Sequence, residues 1–126
     1  MYTSNTPRGV YAPVVTPFDD DLVPDLPRYV NHCRWLLSQE MKLAIFGTNS
    51  EADSLSVGEK ISMLAALVDS GIALELVMPG TGCAALTDSI ELTKHAVARG
   101  CKNVFMLPHF FTKGCPMKVF FVVIPR

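Results

Sequence analysis

The chain has 126 residues, 49% of them apolar and 18% charged, with a formal net charge of −1. That length suits one domain that buries roughly two-thirds of its unfolded surface, and that balance excludes a disordered chain. No basic block stands out and no apolar run approaches the ~18 residues that cross a bilayer, so neither nucleic acid nor a membrane is an expected partner.

Residues 1–8 read as an N-terminal extension. MYTSNTPRG holds no apolar stretch of signal-peptide length, which points to a cytoplasmic protein. The segment GVYAPVVTPF (9–18) is the first strand, emptying into TPFDDD (16–21). A helix is predicted over 25–38, where Leu26, Tyr29, Val30, Cys33, Leu36 and Leu37 fall on one face. Asp25 is its expected N-cap, and Pro27 is tolerated in the first turn. KLAIFG (42–47) is the second strand, followed by GTNSEADS (47–54). The second helix covers 56–70 with a stripe of Val57, Ile61, Leu64, Ala65 and Val68, behind a capping box of Ser56 and Glu59. Gly71 stands where a left-handed residue ends such a helix.

IALELVMPG (72–80) is the third strand, leading into PGTGCAALT (79–87). The third helix covers 87–99 with a stripe of Ile90, Thr93, Ala96 and Val97, opened by Thr87 or Asp88 and closed by Gly100. KNVFMLP (102–108) is the fourth strand, leading into PHFFTKG (108–114). The strand cores begin about 30 residues apart, the length of one βα unit. The order β-α-β-α-β-α-β with continuous apolar strands predicts an α/β fold with a parallel sheet and its chemistry at the strand exits. Val14, Ile45, Leu76 and Phe105 are expected on its inner face.

Among the exit loops, GTNSE carries the most chemistry. Gly47 allows a sharp turn and a close approach to a ligand. Thr48, Asn49 and Ser50 either converge on a carboxylate or phosphate or simply close a strand-to-helix turn. Glu51 is an acid or base, or a residue that pins the loop by accepting backbone N–H groups. PGTGC offers a weaker alternative, a small phosphate-binding α/β module, although the fuller dinucleotide fingerprint is absent. Cys33, Cys83, Cys101 and Cys115 show no CxxC spacing and read as reduced thiols, so no metal site is expected. His32 and His95 read as surface residues, and His109 follows the fourth strand without a partner.

With GVYAPVVTPF, AIFGTNSEADSLS, VMPGTG and VFMLPHFFTKG in view, residues 9–114 resemble the dihydrodipicolinate synthase / N-acetylneuraminate lyase family. The resemblance implies the N-terminal half of a (β/α)8 TIM barrel and a pyruvate-dependent class I aldolase, a lyase or synthase working through a Schiff base. It implies a small 2-oxo acid substrate, no cofactor, and homo-oligomers for full-length members. On this sequence it makes Thr48 the catalytic proton relay, which also touches substrate. Asn49 becomes the holder of the pyruvyl carboxylate, Gly47, Ser50 and Glu51 shape the loop, and Phe110 and Phe111 form the subunit contact. Three departures stand out: Ser50 replaces a usual glycine, Phe111 lacks a tyrosine hydroxyl, and His109 replaces a proline.

Length is the larger departure, since a TIM barrel takes about 250 residues. The resemblance places the Schiff-base lysine on a sixth strand and its tyrosine partner on a fifth, beyond these residues. The chain is therefore expected to be inactive alone, or to be a non-catalytic half-barrel that associates with itself or a partner. Residues 115–126, CPMKVFFVVIPR, form an apolar tail where a fourth helix should begin. VFFVVI is suited to pair with an exposed strand edge. A truncated or frame-shifted gene would produce such an end.

Overall fold

The computed structural model describes residues 7–106 and the backbone of residues 120–123. Strand β1 (Tyr11–Pro13), helix α1 (Leu26–Ser38), strand β2 (Lys42–Ile45), helix α2 (Val57–Asp69), strand β3 (Val77–Pro79), helix α3 (Leu86–Arg99) and strand β4 (Asn103–Met106) follow in chain order. β1, β2 and β3 pair in parallel in that order, with Ala12 opposite Leu43 and Leu43 opposite Val77. β4 meets the far side of β3 through a parallel bridge between Gly80 and Phe105. The predicted alternation of strand and helix and its parallel pairing are both present.

Each helix begins and ends for a local reason. Asp25 caps α1 by accepting the Arg28 N–H at 3.1 Å, and its carboxylate also pairs with the Arg28 guanidinium at 3.3 Å. Ser56 and Glu59 close the predicted capping box of α2, an arrangement that contributes about 1 kcal/mol. Gly71 and Gly100 take left-handed conformations after α2 and α3, with φ of 77° and 114°. Glu40 takes that conformation after α1, where no glycine is available. α3 corrects its expected start, because it opens at Leu86 from Ala85 and neither Thr87 nor Asp88 caps it. Ser89, inside the first turn, accepts the Cys83 N–H at 2.8 Å and holds the incoming loop instead.

All three helices pack on one face of the sheet. Val14, Leu43, Ile45 and Val77 are buried there against Tyr29 and Cys33 of α1, Met63, Leu64 and Leu67 of α2, and Ala96 of α3. Val14 and Ile45 thus lie under the helices, which corrects their expected place on the inner face. Leu76 belongs to a short 3-10 turn (Leu74–Leu76) before β3 and does not line that face either. Pro13 and Val15 alternate onto the other face of β1, where Val15 is 52% exposed. The α1 stripe is buried as expected, with Leu26 and Leu37 packed beside Tyr29, Val30, Cys33 and Leu36, but the stripes of α2 and α3 are rotated. α2 buries Lys60, Met63, Leu64 and Leu67, and α3 buries Ser89, Leu92 and Ala96. Leu86, Ile90 and Val97 form instead an exposed apolar stripe along the outside of α3.

Residues Phe120–Val123 form a further strand, β5, antiparallel to β4 with Val104 opposite Val122. β5 therefore pairs with β4 along an edge that a parallel barrel would extend.

Candidate functional site

Parallel pairing brings the exits of β1, β2 and β3 to one end of the sheet, and hydrogen bonds tie them together. The Gly80 N–H donates to Ile45 O at 2.8 Å, and the Thr81 N–H donates to Phe105 O at 3.0 Å. The Phe105 ring lies against the two glycines that open the β2 and β3 exit loops. A Cβ on Gly47 would sit 3.3 Å from Phe105 Cζ, and one on Gly80 only 2.8 Å from the same atom.

The turn after β2 is built differently from its sequence reading. Gly47 is extended, with φ −92° and ψ −169°, so it does not supply the reversal. Phe46 does, at φ 60°, and Glu51 follows at φ 57°. A buried phenylalanine in the left-handed region is a strained position of the kind found beside functional sites. Between these reversals Thr48–Ser50 forms one 3-10 turn, with Gly47 O accepting the N–H of Ser50 at 3.1 Å and of Ala52 at 3.3 Å. Gly47 lies close under the Phe105 ring, which a Cβ there would press back by a few tenths of an ångström, and its own backbone needs no glycine.

Thr48 and Asn49 are exposed at the tip of this turn. Their N–H groups come first in the 3-10 turn and have no carbonyl of that turn to bond. Two amides without a partner among the described residues, flanked by a hydroxyl and a carboxamide, can receive a carboxylate. Ser50, by contrast, is 2% exposed and wholly committed to structure. Its hydroxyl donates to Val14 O, and its carbonyl accepts the Thr16 hydroxyl at 2.7 Å. Glu51 shapes the loop through its backbone, donating its N–H to Thr48 O at 3.1 Å, and its carboxylate accepts none of the loop N–H groups. The structure thus brings Gly47, Thr48, Asn49, Ser50 and Glu51 into one turn. Phe110, Phe111, His109 and Lys113 lie outside the described residues. Sequence reasoning missed Thr16 and Phe46; the TPF motif was a signal for the first, and nothing local marks the second. Phe105 was expected on the inner face, and it alternates with the buried Val104 to lie against Gly47 and Gly80.

The neighbouring loops are self-contained. In the β1 exit, Asp19 Oδ1 accepts the N–H groups of Asp21 and Val23, both at 2.9 Å, so this carboxylate closes its own loop. In the β3 exit, the amides of Gly80, Thr81 and Cys83 are all donated within the chain. That commitment removes most of the amide cradle a phosphate would need, and it weighs against the phosphate-module alternative.

No described lysine reaches the exit turns from a strand. Lys42 starts β2 at the opposite end, donating to Arg8 O at 2.7 Å with its ammonium 5.6 Å from the Tyr11 ring centre. Lys102 precedes β4 and pairs with Glu75 at 2.8 Å. Lys60 is buried on α2, and Lys94 is exposed on α3. Thiol chemistry is absent from the core as well. Burial pushes the Cys33 and Cys101 thiols up to about 12, so neither is a thiolate near neutrality. His95 is half-buried, with Nε2 lacking a partner among the described residues, and His32 is half-buried and stacks on the exposed Trp35 ring with centroids 6.1 Å apart.

No helix among the described residues is long and apolar enough to cross a membrane. The model of the dihydrodipicolinate synthetase family matches residues 6–119. An uncharacterized DapA-like lyase of Chloroflexus aurantiacus is 35% identical over 109 residues, 85% of this chain and 36% of that protein. A 4-hydroxy-tetrahydrodipicolinate synthase of Synechococcus is 33% identical over 87% of this chain and 37% of its own length. Among solved structures, the dihydrodipicolinate synthase of Agrobacterium tumefaciens superposes with a TM-score of 0.80 at 26% identity, covering 86% of this chain and 38% of that one. A prophage protein of the same family from E. coli K12, YagE, solved with pyruvate, superposes with a TM-score of 0.73 at 24% identity. The chain spans a little over a third of the length of these relatives, and its sheet and helices are the N-terminal half of a TIM barrel.

Proposed function

Because the chain belongs to the dihydrodipicolinate synthetase family of lyases, we propose that its β2 exit turn is the 2-oxo acid half of a class I aldolase site. The observation that carries this reading is the Thr48–Asn49 tip at the exit of a parallel strand, where neither amide donates to a carbonyl among the described residues. The carboxylate of a pyruvate-like substrate would accept those two N–H groups, with the Asn49 side chain beside it. The complex of a family member with pyruvate supports this ligand class. The Thr48 hydroxyl would pass a proton between the substrate and a tyrosine supplied elsewhere.

In the complete reaction a lysine amine adds to the 2-oxo carbon and water leaves, forming an imine that makes the neighbouring carbon acidic. Aldol-type addition or cleavage follows at that carbon. A lysine able to do this must be desolvated and held at the substrate, and Lys42, Lys60, Lys94 and Lys102 do not meet that need. The half-site read here therefore binds the acid, and none of the described lysines turns it over. Titration of the labelled chain with pyruvate should move the Thr48 and Asn49 amide resonances selectively and saturably; a flat titration removes the reading. Borohydride added with pyruvate should leave the protein mass unchanged, and a gain of one reduced pyruvyl group would show that this chain has a competent lysine.

A second reading, a half-barrel that acts by association, is favoured by the exposed stripe on α3, where Leu86 is 74% exposed beside Ile90 and Val97. Apolar residues aligned on one helix face mark a surface that packs on something. Size exclusion at micromolar concentration should then give a species at least twice the mass of one chain, and a compact monomer would remove this reading.

A further inference from the structure

The β1 and β2 exits exchange two buried hydrogen bonds across 34 and 36 residues of sequence. Thr16 Oγ1 donates to Ser50 O at 2.7 Å, and Ser50 Oγ donates to Val14 O. Both hydroxyl residues are more than nine-tenths buried, at 8% and 2% exposure, where such bonds are stronger than in water. Val14 is itself fixed, because its N–H donates to Ala44 O of β2 at 3.0 Å. Ser50 follows Thr48 and Asn49 directly and closes their turn by donating its N–H to Gly47 O. The two exposed amides are therefore held between Gly47, packed under Phe105, and Ser50, fastened to β1.

We propose that Ser50 is a positioning residue for the 2-oxo acid. Its hydroxyl clamps the turn to β1 and so aims the Thr48 and Asn49 amides at the carboxylate. The inference rests on the carboxylate reading above. A residue lacking the hydroxyl leaves Val14 O unpaired on this side and frees the turn to sample other arrangements. Only a fraction of those present both amides together, and the apparent affinity falls by that fraction. Thr16 supports the clamp from the other strand by fixing the Ser50 carbonyl.

The test compares the full wild-type chain with Ser50→Ala and Ser50→Thr by amide nuclear magnetic resonance, first without ligand and then with pyruvate. Ser50→Ala should increase fast motion at Thr48 and Asn49 and weaken pyruvate binding about fivefold, the factor typical of one hydrogen bond. Ser50→Thr, which keeps the hydroxyl, should restore both properties to within about twofold. Should Ser50→Ala fail to fold, Thr16→Val removes the reciprocal donor with little change of shape and carries the same expectations. A Ser50→Ala turn as ordered as wild type overturns the clamp whatever pyruvate does. Equal pyruvate affinity in both proteins, with wild type responding, overturns the positioning role alone. A wild-type chain that ignores pyruvate while the turn loosens in Ser50→Ala overturns the carboxylate reading, and with it the ligand role of Ser50.

Discussion

Gly80→Ala should destabilise the chain by about 3 kcal/mol or more, the upper range for overpacking a buried position. The added methyl would lie 2.4 Å from Phe46 O and 2.8 Å from the Phe105 ring. A side chain can swing away from such a contact, but a backbone carbonyl on the paired strand cannot. Phe46 O is also held in place by the left-handed conformation of its residue and by the neighbouring bond from the Gly80 N–H to Ile45 O. Relief requires β3 to move off β2 at the site end, which also moves the β2 exit turn. Since whole domains are stable by only about 5–15 kcal/mol, a loss of this size should be plain in urea denaturation or in soluble yield. Gly58→Ala is the control. A Cβ there would meet nothing nearer than Ser56 Oγ at 3.9 Å, inside α2, so it should be neutral or stabilise by ~0.5–1 kcal/mol. Equal effects of the two substitutions would contradict the packing described for the β2 and β3 exits.

Stability should also fall steeply on the alkaline side, between about pH 9 and pH 12. Burial raises the Cys33 and Cys101 thiols from an ordinary 9.0 to about 12. For Cys33 the neighbouring Tyr29 hydroxyl opposes this in part, although it does not reach hydrogen-bond geometry. Tyr29 is raised as well, again chiefly by burial. Above pH 9 the unfolded chain releases thiol protons that the folded chain keeps. The unfolded state then binds fewer protons, and the free energy of unfolding decreases as pH rises. The stabilising effect is whole below pH 9 and is lost as pH climbs toward about 12. At about pH 10.5 the loss is ~2 kcal/mol per thiol, so the pair removes ~4 kcal/mol. Thermal midpoints measured across this range should fall, and Cys33→Ala with Cys101→Ala should flatten the fall. An alkaline limb unchanged in that double variant would mean that other groups govern it.

Much of the architecture was readable from local chemistry. Asp25, the Ser56–Glu59 box, Gly71 and Gly100 act through atoms within a few residues of themselves, so their sequence context was sufficient to locate helix ends. The α1 stripe was read correctly, those of α2 and α3 less well. In α3 the pattern Ile90, Thr93, Ala96, Val97 is a genuine apolar face, but Ile90 and Val97 are its exposed members. Periodicity reports that a face is apolar and is silent on which neighbour it meets. A helix of a barrel touches both the sheet and adjacent helices, so it carries more than one such face. Val14 and Ile45 were misplaced for a similar reason, because continuous apolar strands show no alternation from which to choose a face.

The candidate site divides along similar lines. GTNSE was legible as a turn at a strand exit, since an apolar run that empties into small polar residues has few other uses. The division of labour inside it was not. Phe46 makes the reversal assigned to Gly47, and Ser50 is a buried fastener where the resemblance placed a glycine.

Sequence alone determined the family, the order of strands and helices, the N-caps of α1 and α2 and the turn that carries Thr48 and Asn49. Each of these depends on covalent neighbours or on motifs that survive translation into three dimensions unchanged. Tertiary structure decided which sheet face the helices cover, that β5 lies antiparallel on the edge of β4, and that Ser50 is bound to β1. Those outcomes depend on strand register, which brings residues 34 and 36 positions apart within hydrogen-bond distance. Register follows from the packing of the whole sheet, and no short stretch of the chain encodes it.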